Sequence, residues 1–253
     1  MPFILSSIKR ELLTPYMRSR AGRLWNLIHP LVMVLIYALV LSEILSAKLP
    51  GIENRFAYTL YLLAGMAPWV YFNEMITRGL NLFLANSHLI KKLYFKHSAL
   101  VWIYLGICGL NHLIFLTLVI IGYIFLGHPL GWGTLWMLVL WIPLTILGSG
   151  IGLLAGLLNI FLRDIGQLVP IILQLTFWLT PIVYMPAILP ERYQPWLEWH
   201  PFYALVNGYQ QILLWGGSPD WQKLLYPLAL GVALLVLGAF LYKRSKKELV
   251  DML

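Results

Sequence analysis

Long apolar stretches separated by short polar breaks run the length of the chain. Six windows stay apolar over the roughly 20 residues that a helix needs to cross a bilayer core. They are 27–45, 57–76, 100–126, 132–161, 166–186 and 225–242. The alternation that marks barrel strands is absent from them, so the pattern predicts helices. A seventh stretch, 202–215, is apolar but too short to span, and it follows Pro186, Pro190, Pro195 and Pro201. Stretches of that length re-enter or lie at the interface. Residues 187–221 are therefore predicted to form an external region of short helices that dip back before the last span. The expected fold is an all-α membrane protein, one domain over 1–253, with six transmembrane helices.

Composition removes the soluble alternative. Hydrophobic residues make up 60% of the 253 and charged ones 11%, against about 45–50% and about 25% in soluble domains. Mean hydropathy is +0.78. The charges then orient the windows. Lys9, Arg10, Arg18, Arg20, Arg23, Arg78, Lys91, Lys92, Lys96, Arg163, Lys243, Arg244, Lys246 and Lys247 fall at one set of breaks. Only Lys48, Arg55, Arg192 and Lys223 fall at the other. Lys and Arg gather in cytoplasmic loops, so the crowded side is cytoplasmic and both termini lie there. A spanning 202–215 would force the basic tail outside, against that bias. The expected location is the bacterial inner (plasma) membrane. Residues 1–5 lack the basic-then-apolar order of a cleavable signal, so the N terminus is expected to be retained.

Several residues carry a sharper reading beside a plainer one. Ile4, Ile8 and Leu12 share a helical face opposite Lys9 and Arg10, which predicts an interfacial helix within 1–24, bent at Pro15. The plainer reading is a charged flank that only sets orientation. Gly148, Gly152 and Gly156 recur every four residues in the fourth window, a spacing that lets helix backbones approach closely. Static packing and a moving contact are both open there. Polar residues inside the windows are few: Asn111, His112, Asn159, Gln167 and Gln174. His112 has no carboxylate in mid-window to partner it, which favours a structural role over a proton relay. Glu74 and Arg78 are expected to pair locally at a helix end. Tyr37, Phe177 and Trp178 fall near the centres of the first and fifth windows, where they face lipid or offer a stacking surface to sugar rings.

Much chemistry is missing. No G-x-x-x-x-G-K-[ST] occurs, so no P-loop binds ATP, and no H-E-x-x-H occurs. No clustered carboxylate pair of the kind used in glycosyl transfer is present. Cys108 stands alone, which excludes an internal disulfide and a thiolate metal site. No metal site, no cofactor on this chain and no nucleic acid partner are expected. Asp164, Glu74 and His112 are the only acid–base candidates for an alternative function, a membrane-embedded acyl- or glycosyltransferase acting on lipid-linked sugars.

Four stretches together resemble the permease subunits of type-2 ABC exporters for polysaccharides, including O-antigen and teichoic acid permeases. They are RSRAGRLWNLIHPL (18–31), NSHLIKKLYFKHSALVW (86–102), NIFLRDIGQLVP (159–170) and LTPIVYMP (179–186) with HPFYALVNGYQ (200–210). Their order covers almost the whole chain. Ala21-Gly22 stands for the family's usual Leu-Gly, and His200-Pro201 for its Asn-Pro. Where many relatives have a coupling-loop Pro, this chain has Lys96 or His97.

The resemblance implies a homodimer and a separate cytoplasmic ATPase subunit, in two copies, that holds ATP and Mg. It implies a coupling loop over 77–99, with Leu89, Ile90, Lys91, Lys92, Tyr94 and Phe95 meeting that ATPase, and a cytoplasmic turn at Arg163 and Asp164. The implied cargo is a glycan on a polyprenyl diphosphate lipid. Arg18, Arg20, Arg23, Lys91 and Lys92 are candidates to attract the diphosphate; their other reading is topology alone. Tyr37, Phe177, Trp178 and Tyr184 are candidates to line the glycan path. An exporter of drugs or small lipids stays open within the same class.

Overall fold

The computed structural model describes residues 56–91 and 98–252, together with single positions 8, 28, 31, 32 and 36. The described residues are helical, with no strand among them. Eight α-helices follow in order: α1 (Ala57–Ala85), α2 (Ser87–Ile90), α3 (Ser98–Phe125), α4 (Trp136–Phe161), α5 (Ile165–Leu179), α6 (Gln194–Glu198), α7 (Pro201–Trp215) and α8 (Trp221–Met252). Single 3-10 turns occupy Trp132–Leu135, Pro186–Ile188 and Glu191–Tyr193.

Among the described residues, three segments are long and apolar enough to cross a membrane: Ser98–Phe125, Trp132–Phe161 and Trp221–Lys246. These match the third, fourth and sixth windows. The second window forms α1, which falls short on hydropathy because of the company it keeps. That helix packs against α3, α4, α5 and α7, and it buries Tyr58, Tyr61 and Tyr71 among its apolar residues. A helix wrapped in protein can carry hydroxyls that a lipid-facing helix cannot. The first window lies outside the described residues apart from Ile28, Leu31, Val32 and Ile36, none of them buried.

The fifth window differs from expectation. Helix α5 stops at Leu179, not near 186, and Thr180 turns to extended backbone (φ −91, ψ 133). The reason is local: Pro181 disfavours helical geometry in the residue before it. The chain then runs irregularly through Ile182 and Val183, both buried. Beyond it, α7 starts with Pro201 in its first turn behind an extended His200 and ends at Gly216 in the left-handed region (φ 64). Proline at the start and a left-handed glycine at the end bound it on both sides.

The glycines of α4 serve two packing faces. A Cβ on Gly152 would stand 2.8 Å from the Met75 carbonyl oxygen, and one on Gly79 would stand 2.7 Å from the backbone of Gly152. Gly156 meets the same stretch of α1 at Gly79. Across the helix, a Cβ on Gly150 would lie 2.7 Å from the Gly231 carbonyl oxygen of α8. Helix α4 is thus gripped between α1 and α8 through backbone contact. The four-residue spacing belongs to close packing.

Candidate functional site

Three places gather the side chains that the sequence singles out. The first is the break after α5. Its buried backbone carbonyls need donors, because hydrocarbon offers none. Helix α1 supplies two: the Tyr58 hydroxyl donates to the Val183 carbonyl at 2.7 Å, and the Tyr61 hydroxyl lies 3.0 Å from the Pro181 carbonyl and 2.8 Å from that of Tyr184. Helix α7 supplies a third, with Gln210 Nε2 donating to the Pro181 carbonyl at 3.0 Å. This irregular, buried backbone is held by side chains of two other helices.

Of the aromatic path candidates, Phe177 points inward, 8% exposed, with its ring 5.2 Å from that of Trp69. Trp178 points out and is 52% exposed. The Tyr184 hydroxyl donates back to the Leu179 carbonyl at 3.1 Å. Tyr37 lies outside the described residues. Helix α5 as a whole is barely covered, burying only Leu173 and Phe177. Gln167 and Gln174, seven apart and so on one face, are both exposed.

The second place is a polar cluster between α1 and α3. The Glu74 carboxylate accepts from Arg78 Nε at 2.7 Å and from Asn111 Nδ2 at 2.6 Å. The pair was expected at a helix end; instead α1 continues to Ala85 and the pair lies inside it. Its depth follows from register. The Tyr123 hydroxyl donates to the Leu60 carbonyl and the Tyr104 hydroxyl to the Met75 carbonyl, so α1 and α3 run side by side. Asn111 lies near the middle of Ser98–Phe125, about 20 Å from either end at 1.5 Å per residue. Charged groups at bilayer centre cost about 2.5–3.5 kcal/mol on insertion scales and face an interior or a watery cavity. Here Glu74 and Arg78 keep 20% and 36% of their side-chain surface open.

His112, next along α3, points elsewhere. It is 2% exposed, its Nε2 lies 3.2 Å from the Tyr209 hydroxyl, and its ring sits 4.4 Å from that of Tyr71. This pins α7 to α3 and makes His112 a packing residue. Its Nδ1 has no partner among the described residues.

The third place is the opposite end of the bundle. Arg163 and Asp164 are exposed in the turn from α4 to α5, where the Asp164 carbonyl accepts from the amides of Gln167 and Leu168. Just beyond, a Cβ on Gly166 would meet Asn159 Oδ1 at 3.1 Å, so the turn packs on the end of α4. Helix α2 leaves α1 nearby in sequence, with Ile90 buried, Leu89 partly so and Lys91 exposed. Lys92, Tyr94 and Phe95 lie outside the described residues, as do Arg18, Arg20 and Arg23. Of the expected interfacial helix only Ile8 is described, and it reaches Gly106 of α3.

At the first end, Lys223 Nζ binds Glu198 at 2.9 Å, tying α6 to the start of α8. Burial holds the His200 imidazole below its ordinary range and raises the Tyr203 phenol. The sequence pointed to none of these contacts, nor to Tyr58, Tyr61 and Gln210, because each spans a long separation. The one available signal was polarity inside apolar windows.

Comparison with known proteins gives a consistent result. The family described as ABC-2 type transporter matches residues 3–214. An O-antigen export system permease protein of Klebsiella pneumoniae is 26% identical, covering 96% of this chain and 92% of its own length. One from Myxococcus xanthus is 25% identical, covering 98% and 94%. A polysialic acid transport protein of Escherichia coli is 21% identical, covering 95% and 92%.

Proposed function

The chain belongs to the ABC-2 type transporter family, and from that premise we propose that it is the permease subunit of an ATP-driven exporter. Its cargo is a lipid-linked polysaccharide of the O-antigen kind, moved across the bacterial inner membrane. End-to-end similarity to proteins named for O-antigen export and polysialic acid transport supports the cargo class. ATP and Mg act on a separate ATPase subunit, as the absence of a P-loop from the full sequence supports. That subunit docks, in two copies, on the face with Leu89, Ile90, Lys91, Arg163 and Asp164.

One observation carries the assembly. Helix α5 buries two residues and exposes two glutamines, an arrangement that lipid does not satisfy. A second copy facing α5 would enclose a path that one protomer leaves open, with Trp178 and Tyr184 on its wall. Both termini are cytoplasmic in this reading, α6 and α7 re-enter from the external side, and Arg18, Arg20, Arg23, Lys91 and Lys92 draw the lipid diphosphate to the cytoplasmic mouth. The test is cross-linking in native membranes. With Cys108→Ala as background, Gln174→Cys is expected to give a disulfide-linked dimer, and the chain to co-purify with the ATPase. A chain that stays monomeric and alone would refute the proposal.

A further inference from the structure

The cluster around Glu74 has a feature that helix packing does not explain. Asn73, Thr77 and Asn81 continue it along α1 at four-residue spacing, and Thr77 and Asn81 are exposed. The stripe points away from the packing faces of the same helix, where Gly79 meets α4 and Met75 accepts from Tyr104. Helix α1 is therefore two-sided over this half, with close packing behind and amide, hydroxyl and carboxylate groups in front.

Three surfaces compete to cover such a stripe. Lipid offers no hydrogen-bond partner. A docked helix takes either small residues or a polar bond at the contact: Gly79 supplies the first on the opposite side and Asn111 of α3 the second at Glu74, and Thr77 and Asn81 stay exposed beyond both. A hydrated, hydroxyl-rich polymer fits. Hydroxyls both donate and accept, as do the Asn amides, while a carboxylate has sites for about four donors, of which Arg78 and Asn111 use two at Oε1.

We propose that Glu74 and Asn111 near mid-membrane, with Asn73, Thr77 and Asn81 along the same side of α1 toward its Ala85 end, line the translocation path and hydrogen-bond the hydroxyls of the passing glycan. This rests on the polysaccharide reading above and deepens it: the path is gripped by polar groups of α1 and α3 as well as flanked by aromatic rings. Arg78 holds the carboxylate in position from its own helix.

The test has two arms. In the first, Thr77→Cys and Asn81→Cys are introduced singly over Cys108→Ala and treated in membranes with a charged methanethiosulfonate reagent. Only a water-wetted thiolate reacts, so both are expected to label about tenfold or more faster than Val236→Cys, which sits on the exposed apolar side of α8. Labelling no faster than Val236→Cys overturns the proposal and leaves the permease reading intact. In the second, Asn111→Leu and Glu74→Gln are expressed in the source cell with its own ATPase and glycan. Surface glycan is expected to fall severalfold and the lipid-linked form to accumulate inside, with normal chain levels and normal ATPase co-purification. Rapid labelling with undiminished export overturns the glycan contact. Loss of the chain from the membrane assigns Glu74 to folding; Asn81→Leu, which removes a side chain that among the described residues bonds within its own helix, to the Thr77 carbonyl, then decides by the same export readout, a severalfold fall supporting the contact and full export overturning it.

Discussion

Tyr61 and Gln210 converge on one acceptor, the Pro181 carbonyl oxygen, each at 3.0 Å. One comes from α1 and the other from α7, so the broken end of α5 is fastened to two helices at once. The Tyr61 hydroxyl has one proton for the Pro181 and Tyr184 carbonyls, so Gln210 satisfies Pro181 when that proton turns to Tyr184, and Tyr61 can turn to Pro181 when Gln210 is lost. Tyr61→Phe and Gln210→Leu are each expected to cost about 0.5–1.5 kcal/mol, and the double variant to exceed their sum because the oxygen is then buried and bare. Thermal unfolding of the detergent-purified protein, arranged as a double-mutant cycle, checks the coupling.

The α1–α4 contact leaves no room for a methyl group. Gly152→Ala is expected to lose about 1–3 kcal/mol or to fail to fold, since the added Cβ meets backbone at 2.8 Å. Gly238→Ala on α8 is the control: its Cβ would first meet Leu154 at 4.0 Å, an ordinary contact. Comparing the melting temperatures of the two variants tests whether backbone approach, and not glycine content, holds these helices together.

His200 gives a pH dependence of definite sign. Burial lowers its folded pKa below the ordinary imidazole value, so the unfolded chain takes up the proton more readily. The contribution to stability is full above about pH 6.5 and is lost as pH falls from there toward the lowered folded value. The wild type is expected to lose more melting temperature between neutral and mildly acid pH than His200→Gln. Equal losses would show that His200 does not titrate on unfolding.

The sequence made much of this fold readable, and the failures have physical causes. Ser98–Phe125 and Trp132–Phe161 were legible because apolar residues cover every side of a lipid-facing helix. The fifth window overruns helix α5 because Ile182, Val183 and Met185 keep it apolar past the point where Pro181 ends the helix. The Thr180-Pro181 pair held that signal. The glycine period in α4 was readable, but its partners Gly79 and Gly231 sit in other helices. Glu74 looked like half of a local pair, and its bond to Asn111 is a tertiary fact that no spacing encodes. Among the site candidates, Phe177 and Trp178 are neighbours in sequence yet face opposite ways, which apolar composition cannot distinguish.

The Lys223–Glu198 pair joins α6 to α8 at the surface, where both side chains are well exposed. An exposed pair contributes about 0.2–1 kcal/mol and is screened by salt. Lys223→Gln is expected to leave the melting temperature almost unchanged at high ionic strength. A large loss that persists in salt would mean that the pair fixes the external helices in a way exposure does not suggest.

The most direct measurement of the central claim is export in proteoliposomes. The purified chain is reconstituted with a polyprenyl diphosphate-linked glycan, with and without its ATPase subunit. Glycan is expected to cross the bilayer only when both subunits and MgATP are present. Transfer by this chain alone without nucleotide, or none with the complete and ATP-hydrolysing complex, would contradict that claim.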